Sequence, residues 1–329
     1  MKVLSVGYLS SLSATPLLLC EQKGWLNELG FELKLRRQVG WSSLAKNLFD
    51  GELSASIMHP SMLIAKAAHL PGNTLNVRGC LVIGFGGDGL VGKTSRREQL
   101  ALPSIDEKIR FGTFSPDFPD FCAVKSLHPI GYSGSFIDQI EKVPIPVCCG
   151  VELIESGFID MYYTYQPWIK IAEKKGVGYN IRIEENKTAC HASRILVFDD
   201  QLIGHDRAFL EDFRGIIERA SDWIYNPNNA DELYEILKQE EWPLTKEEIL
   251  SLFKGRENST TLQTGFQCGA LTTRSINLSN EDIRSFWNWY NCSVDDRGFD
   301  NNIPIPDWFY DWNHLFYLWS NNLCRRNTC

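Results

Sequence analysis

The chain has 329 residues, of which 43% are hydrophobic and 22% are charged, and its formal net charge at pH 7 is −8. This length predicts two hydrophobic cores, because single domains usually contain about 100–200 residues. The acidic balance argues against a nucleic-acid partner, since such proteins present a basic surface to the phosphates. No apolar run approaches the roughly 18–20 residues of a spanning helix, so we predict no transmembrane segment.

The N-terminal residues and the cysteines bear on where the protein is found. The run Leu17-Leu18-Leu19-Cys20 is similar to a lipoprotein cleavage site, but Leu19 is larger than cleavage prefers and Pro16 interrupts the apolar stretch. The ten cysteines include no Cys-x-x-Cys spacing, which argues against a zinc site and favours a reducing compartment. We therefore expect a cytoplasmic protein, with a periplasmic location as the alternative if a signal peptide has been removed.

The first part of the chain predicts alternating strands and helices. Alternating apolar positions are typical of strands, and apolar positions three and four residues apart are typical of helices. The order strand–helix–strand–helix–strand favours a parallel sheet with crossover helices. The predicted strands are 2–8, 31–35 and 54–58, and the predicted helices are 14–28, 42–49 and 61–68.

The same alternation continues to about residue 165, after which helices dominate. Pro144 and Pro146 restrict the extended segment 143–147 to the edge of a sheet. Thr245 and Glu248 have the spacing of a capping box at the start of a helix. The other predicted elements are strands at 109–114 and from Ile159, helices at 118–127, 151–157, 205–225, 230–240, 245–254 and 280–291, and an aromatic-rich packing segment at 303–319.

The segment 82–92, Val-Ile-Gly-Phe-Gly-Gly-Asp-Gly-Leu-Val-Gly, contains five glycines. Its spacing matches neither the dinucleotide-binding fingerprint nor the phosphate-binding loop of nucleotide-hydrolysing proteins. Glycine also relaxes the backbone where two domains pivot, so we interpret this segment as a loop that crosses between two lobes and acts as a hinge.

Few side chains in the sequence suggest chemistry. The six histidines include no pair at metal-binding spacing, and Cys190-His191 lacks a third group to orient a base. We predict no catalytic residue, no metal site and no cofactor. His59 follows the third predicted strand, at the carboxyl end where open parallel sheets bind ligands. A ligand contact and a purely structural role are both open for His59.

Four segments together resemble the nitrate- and bicarbonate-binding receptors of ATP-driven (ABC) uptake systems, which have cytosolic nitrate-sensing relatives. The first, residues 6–26, is similar to the family's first strand and its Ala-Pro helix. The second, residues 37–53, is similar to a helix that begins with tryptophan. The third and fourth are Asp-Met-Tyr-Tyr-Thr-Tyr-Gln-Pro-Trp at 160–168 and the aromatic tail from Phe286 through Tyr310.

The resemblance implies an α/β fold with two lobes, of the type II periplasmic-binding-protein kind, with a helical C-terminal extension. Lobe one is expected at 1–87 plus 181–329, with its helical tail at 205–329, and lobe two at 88–180. The ligand is expected in the cleft between the lobes, which closes by hinge motion.

The resemblance also implies the ligand-binding residues. Trp41 retains the family's cleft tryptophan, and Gln166 stands where the family has a glutamate. Asp88 stands in place of an amide, and Pro119 in place of a histidine, while His59 offers a new hydrogen-bond donor. Because these changes remove donors and add a carboxylate, they predict a neutral or cationic ligand on Trp41 as readily as nitrate or bicarbonate.

These observations predict a solute-binding protein of an ABC uptake system or a cytosolic ligand sensor, without enzymatic activity. Its partners are expected to be a small polar ligand and either a transporter permease or a signalling partner. One alternative is a cytosolic enzyme on the same fold, similar to the one that makes the thiamin pyrimidine precursor, although the clustered cysteines of that enzyme are absent. Another is a signalling module that binds a partner protein through its helical tail.

Overall fold

The computed structural model describes residues 1–59, 62, 77–85, 88–101, 108–113, 140–181, 192–199 and 207–253. The strands in chain order are β1 (Lys2–Tyr8), β2 (Phe31–Arg37), β3 (Ala55–Met58), β4 (Val77–Phe85), β5 (Asp88–Lys93), β6 (Arg110–Thr113), β7 (Glu141–Pro144), β8 (Met161–Tyr165), β9 (Gly178–Ile181) and β10 (Ala192–Asp199). The α-helices are α1 (Thr15–Lys23), α2 (Trp41–Phe49), α3 (Arg97–Ala101), α4 (Gly150–Ser156), α5 (Trp168–Lys174), α6 (Arg207–Tyr225), α7 (Ala230–Leu237) and α8 (Lys246–Ser251).

The strands form two five-stranded sheets. The first has the order β2-β1-β3-β10-β4, and the second has the order β7-β6-β8-β5-β9. In the first sheet β1 is parallel to β2 and β3, as predicted, whereas β10 runs antiparallel to β3 and β4. In the second sheet β6 is parallel to β7 and β8, and β5 runs antiparallel to β8 and β9. Both sheets are therefore mixed.

The chain changes sheet twice. Strands up to Phe85 and from Ala192 belong to the first sheet, and strands from Asp88 to Ile181 belong to the second. The lobe boundaries predicted from the sequence, at residues 87/88 and 180/181, fall near these two changes. We call the two parts lobe one and lobe two.

Helix α1 is shorter than the helix predicted over 14–28. It ends at Lys23, because Gly24 adopts a left-handed conformation with φ of 64° and caps the helix. A short 3₁₀ helix follows at Trp25–Leu29, and Gly30, with φ of 78°, ends it. Glycine is favoured at both caps because a side chain would be strained at positive φ.

The prediction of a loop over 82–92 was wrong for most of that segment. Strand β4 extends to Phe85 and β5 begins at Asp88, so the glycines of β5 lie within a sheet. A Cβ atom at Gly89 would lie 2.7 Å from Cδ1 of Ile169, and one at Gly92 would lie 2.8 Å from Cδ1 of Ile181. These two glycines therefore allow close packing, which sequence alone does not distinguish from hinge flexibility.

The helices after the second sheet agree with the amphipathic pattern within the described residues. Helix α6 packs Phe209 and Phe213 against Phe198 of β10, with ring centroids 6.2 and 5.3 Å from that of Phe198. The predicted capping box is present at α8, where the hydroxyl of Thr245 accepts a hydrogen bond from the amide of Glu248. None of the helices described here is long and apolar enough to cross a membrane.

Six of the described strands and α-helices were not predicted, namely β4, β5, α3, α5, β9 and β10. Other predictions lie outside the described residues: the helices at 61–68, 118–127 and 280–291, the aromatic segment at 303–319, and residue Pro119.

A buried ionic cluster stabilises lobe two at the start of β8. Asp160, which is 1% exposed, accepts hydrogen bonds from the amide and guanidinium of Arg110 and lies 2.9 Å from a guanidinium nitrogen of Arg96. Burial by itself raises the pKa of Asp160, but the hydrogen bonds from Arg110 and Arg96 outweigh it and hold this pKa below its ordinary value. Asp160 therefore joins strand β6 and the 3₁₀ helix Thr94–Arg96, which precedes α3, to β8.

Replacing Asp160 with Asn should lower the free energy of unfolding by about 2 kcal/mol at pH 7, because the arginines lose a buried charged acceptor. A carboxyl group with a lowered folded pKa stabilises above its ordinary pKa of roughly 4, and this stabilisation is lost as the pH falls through the folded pKa. Urea unfolding of both proteins from pH 7 to pH 3 should show the difference shrinking at acidic pH. A difference independent of pH would contradict this account.

Candidate functional site

Several buried polar side chains lie at one edge of the first sheet. Because β1, β2 and β3 are parallel, their carboxyl ends share an edge, and ligands bind at such edges in open α/β sheets. Trp41 begins α2 after β2, and His59 directly follows β3. Each is only 2% exposed. Both residues therefore lie where the sequence predicted them.

The corresponding edge of the second sheet is formed by β8 and the start of β5. Strand β8 ends at Tyr165, and Gln166 follows it. Strand β5 runs antiparallel to β8, so its first residue, Asp88, pairs with Tyr165. The backbones of Asp88 and Gln166, which were both predicted as ligand contacts, are therefore neighbours at this edge. Pro119, the fifth predicted contact, lies outside the described part of the chain.

The two edges meet in a cleft between the lobes. The indole nitrogen of Trp168 donates a hydrogen bond to the carbonyl oxygen of Ser10 over 3.0 Å. The rings of Trp41 and Tyr165 contact edge to face, with centroids 6.3 Å apart and planes at 82°. Residues from both lobes therefore enclose the same space, as the two-lobed arrangement requires.

Arg194 contacts both lobes and was missed by the sequence analysis. Its guanidinium carbon lies 4.6 Å from the ring centroid of Tyr165 and 5.2 Å from that of Trp41, distances typical of cation–π contacts. The residue is 4% exposed. Because β10 is antiparallel and Ile195 pairs with Met58, Arg194 lies level with His59 at the carboxyl edge of the parallel strands.

A sequence signal for Arg194 existed, but it required the strand to be recognised first. Residues 194–198, Arg-Ile-Leu-Val-Phe, place one charge at the start of an apolar run rich in strand-forming side chains. A charge within such a run is costly unless it is paired or used, and it therefore indicates a position with a specific contact. The guanidinium on Trp41 also opposes the expected cationic ligand at that ring, since two like charges repel strongly at short range.

Hydroxyl groups line the segment between β1 and α1. The exposed fraction is at most 6% for Ser10, Ser11 and Ser13 in this segment and for Thr15, the first residue of α1. The hydroxyls of Ser11 and Ser13 are 2.8 Å apart, and the hydroxyl of Thr15 has no hydrogen-bond partner among the described residues. This segment leads into the N-terminus of α1, where the helix dipole favours negative charge.

Gln166 has a structural role that limits what it offers to a ligand. Its side-chain oxygen Oε1 accepts a hydrogen bond from the amide of Lys170 over 3.2 Å, which caps the first turn of α5. The residue is 3% exposed. Because Oε1 is used in this way, the side chain is best suited to donate to a ligand through Nε2.

Within the described ranges, no group of three or more His, Cys, Asp or Glu side chains is arranged to hold a metal ion.

Comparison with known proteins agrees with this geometry. The structure of the periplasmic nitrate-binding protein NrtA from Synechocystis PCC 6803 superimposes with a TM-score of 0.71 at 17% identity, covering 99% of this chain and 88% of that one. The fold is that of a type II periplasmic binding protein. Residues 1–101 also match the sequence pattern of the NMT1-like family. The two-lobed fold expected from the sequence is confirmed.

Two curated relatives align with most of this chain, but each alignment covers a smaller share of the relative's own length. The bicarbonate-binding protein CmpA of a Synechococcus species is 22% identical over 261 residues, covering 72% of this chain and 57% of the relative. The nitrate import ATP-binding protein NrtC of Synechococcus elongatus is 20% identical over 251 residues, covering 73% of this chain and 38% of the relative. The chain therefore resembles nitrate- and bicarbonate-binding proteins, as predicted, but spans little more than half the length of CmpA.

The cap at α5 can be tested with two substitutions at Gln166. Gln166→Ala should lower the free energy of unfolding by about 0.5–2 kcal/mol, because the amide of Lys170 loses its acceptor. Gln166→Glu should restore most of this loss, since a carboxylate accepts the same hydrogen bond and interacts favourably with the helix N-terminus. Urea unfolding of the three proteins at pH 7 would measure both effects. Equal losses in the two variants would contradict the capping role.

Proposed function

We propose that this protein is a solute-binding protein that holds a small oxyanion in the cleft between its lobes and does not transform it. The observation that supports this proposal best is the guanidinium of Arg194, which is buried in the cleft against Trp41 of lobe one and Tyr165 of lobe two. A ligand that contacts this group is enclosed by both lobes, which is how a closing receptor retains its solute.

The charge and donors of the cleft favour an anion. A guanidinium that stacks on aromatic rings directs its N–H groups along its edge, in the geometry that matches a planar oxyanion. The hydroxyls of Ser11, Ser13 and Thr15 and the amide of Gln166 add donors without charge. Nitrate and bicarbonate, which the similar proteins are named for, both belong to this ligand class.

The same comparison supports a role for the whole protein. Related import systems combine a binding protein with an ATP-binding component, so uptake through an ABC permease is the favoured role, and ligand sensing with a signalling partner is the second. The sequence favours the sensing role if the protein stays in the cytoplasm. Uptake requires a location outside the cytoplasmic membrane.

Small oxyanions should stabilise the folded protein. Nitrate, bicarbonate and methanesulfonate should be compared with choline, a cation, by thermal unfolding at constant ionic strength. A ligand present at 100 times its dissociation constant adds about 2.7 kcal/mol to the free energy of unfolding, which raises the melting temperature by several degrees. At least one anion should do so and be recovered unchanged. Stabilisation by choline alone, or consumption of the anion, would contradict the proposal.

The role of Arg194 in anion binding can be tested against Arg219, a second arginine that lies over an aromatic ring. Arg194→Met should weaken binding of the stabilising anion by at least about 30-fold, because a buried charged donor is lost. Arg219→Met should leave binding unchanged, since Arg219 lies over Trp25, 4.0 Å from the ring centroid, and pairs with Glu28 on the surface of lobe one. Calorimetric titration of each variant would measure this. Equal losses in both variants would remove Arg194 from the site.

The variant Gln166→Glu tests how charge affects anion affinity while leaving the folding stability largely unchanged. This variant keeps the cap of α5 but introduces a negative charge beside the ligand. The affinity for the stabilising anion should therefore fall about tenfold or more while the stability without ligand stays close to that of the native protein. Calorimetric titration and urea unfolding, performed on the same preparation, would show both. Unchanged anion affinity would place the ligand away from Gln166.

A further inference from the structure

A segment beyond the second sheet contacts both lobes. We call residues 238–248 the strap; it comprises the 3₁₀ helix Lys238–Glu240, an irregular stretch and the start of α8. Toward lobe one, the hydroxyl of Tyr8 donates to Oε1 of Glu240 over 2.8 Å. Toward lobe two, Nζ of Lys174 donates to the carbonyl of Pro243 over 3.1 Å and to Oε2 of Glu248 over 2.7 Å.

The contacts of the strap with lobe one are buried. Tyr8 is 7% exposed and Glu240 is 2% exposed, and burial together with the Glu240 carboxylate raises the pKa of Tyr8. Two residues further along, the indole nitrogen of Trp242 donates to the hydroxyl of Ser10 over 2.8 Å. The strap therefore contacts Tyr8, the last residue of β1, and Ser10, in the segment that begins the cleft.

Ser10 accepts hydrogen bonds from two tryptophans, one in the strap and one in lobe two. Its hydroxyl accepts from Trp242 of the strap, and its carbonyl oxygen accepts from Trp168 of lobe two. All three residues are at most 8% exposed. A buried indole N–H that loses its acceptor is costly, so both bonds restrict the orientation of the Ser10 backbone and side chain. Trp168 can leave Ser10 without penalty only when the lobes open and water replaces the carbonyl.

We infer that Ser10 is a positioning residue, through which the strap sets how firmly lobe two closes on the cleft. The bond from Trp242 holds the Ser10 hydroxyl, and thereby directs the Ser10 carbonyl toward Trp168. The same segment donates from the amide of Leu12 to the carbonyl of Gln166 at 3.5 Å, so its position affects a second contact between the lobes. The functional meaning of this closure rests on the proposed solute binding, but the coupling itself can be measured without any ligand.

The test follows exchange of the Trp168 indole N–H with deuterium in the ligand-free, ¹⁵N-labelled protein. The resonance is identified by its absence in Trp168→Phe. Ser10→Ala removes only the hydroxyl and leaves the carbonyl in place, yet it should lower protection of the Trp168 indole about fivefold to tenfold, the effect of one hydrogen bond. Ser10→Thr should restore protection. Trp25→Phe, which alters an indole of lobe one away from Ser10, should have no effect.

A second variant and an internal reference make the result decisive. Trp242→Phe should lower protection of the Trp168 indole like Ser10→Ala, while amides in the centres of β8 and β10 keep theirs. If protection of these core amides falls by the same factor, Ser10 is merely structural and the inference fails. The inference also fails if Lys174→Met lowers protection of the Trp168 indole while Ser10→Ala and Trp242→Phe do not. The strap would then act through the ion pair of Lys174 with Glu248. Anion titrations of the same variants test solute binding separately, so failure of either idea is distinguishable.

Discussion

The contact of the Arg194 guanidinium with the rings of Trp41 and Tyr165 is the interaction on which the proposed site depends. It joins a strand of lobe one, the first residue of a helix of lobe one and the last residue of a strand of lobe two. Each of these residues is buried, so the charge is enclosed rather than solvated. Enclosure strengthens the electrostatic interactions of this guanidinium, because the effective dielectric constant is lower than in water.

Strand direction explains why this charge is in the cleft at all. In a purely parallel sheet the residue preceding a strand lies at the edge opposite the ligand. Strand β10 returns from the second sheet antiparallel to β3, so its first residues lie at the carboxyl edge of the parallel strands. The antiparallel strand β5 does the same for Asp88 in lobe two. The two changes of sheet therefore place Asp88 and Arg194 at the carboxyl edges of the two sheets as well as joining the lobes.

The helical region after the second sheet has a part in the same arrangement. Its first helix packs phenylalanines on β10, and the strap that follows reaches Tyr8, Ser10 and Lys174. A region that the sequence predicted only as a series of amphipathic helices thus contacts both lobes. Its charged contacts with Lys174 are partly exposed and contribute little energy individually, whereas the indole and phenol contacts are buried and directional.

The sequence by itself determined the parallel strands β1 to β3, the edge position of β7 and the capping box of α8. These follow from local periodicity and from residue types that act over a few positions, as with Thr245 and Glu248. It also indicated His59, which follows a parallel strand, while the resemblance to the binding-protein family indicated Trp41, Asp88 and Gln166. Only the tertiary structure decided that Gly89 and Gly92 serve packing, that Gln166 caps α5, and that Arg194 and Ser10 contact residues of lobe two. Those roles depend on contacts between residues far apart in the chain, such as Arg194 with Trp41, and no local pattern specifies them.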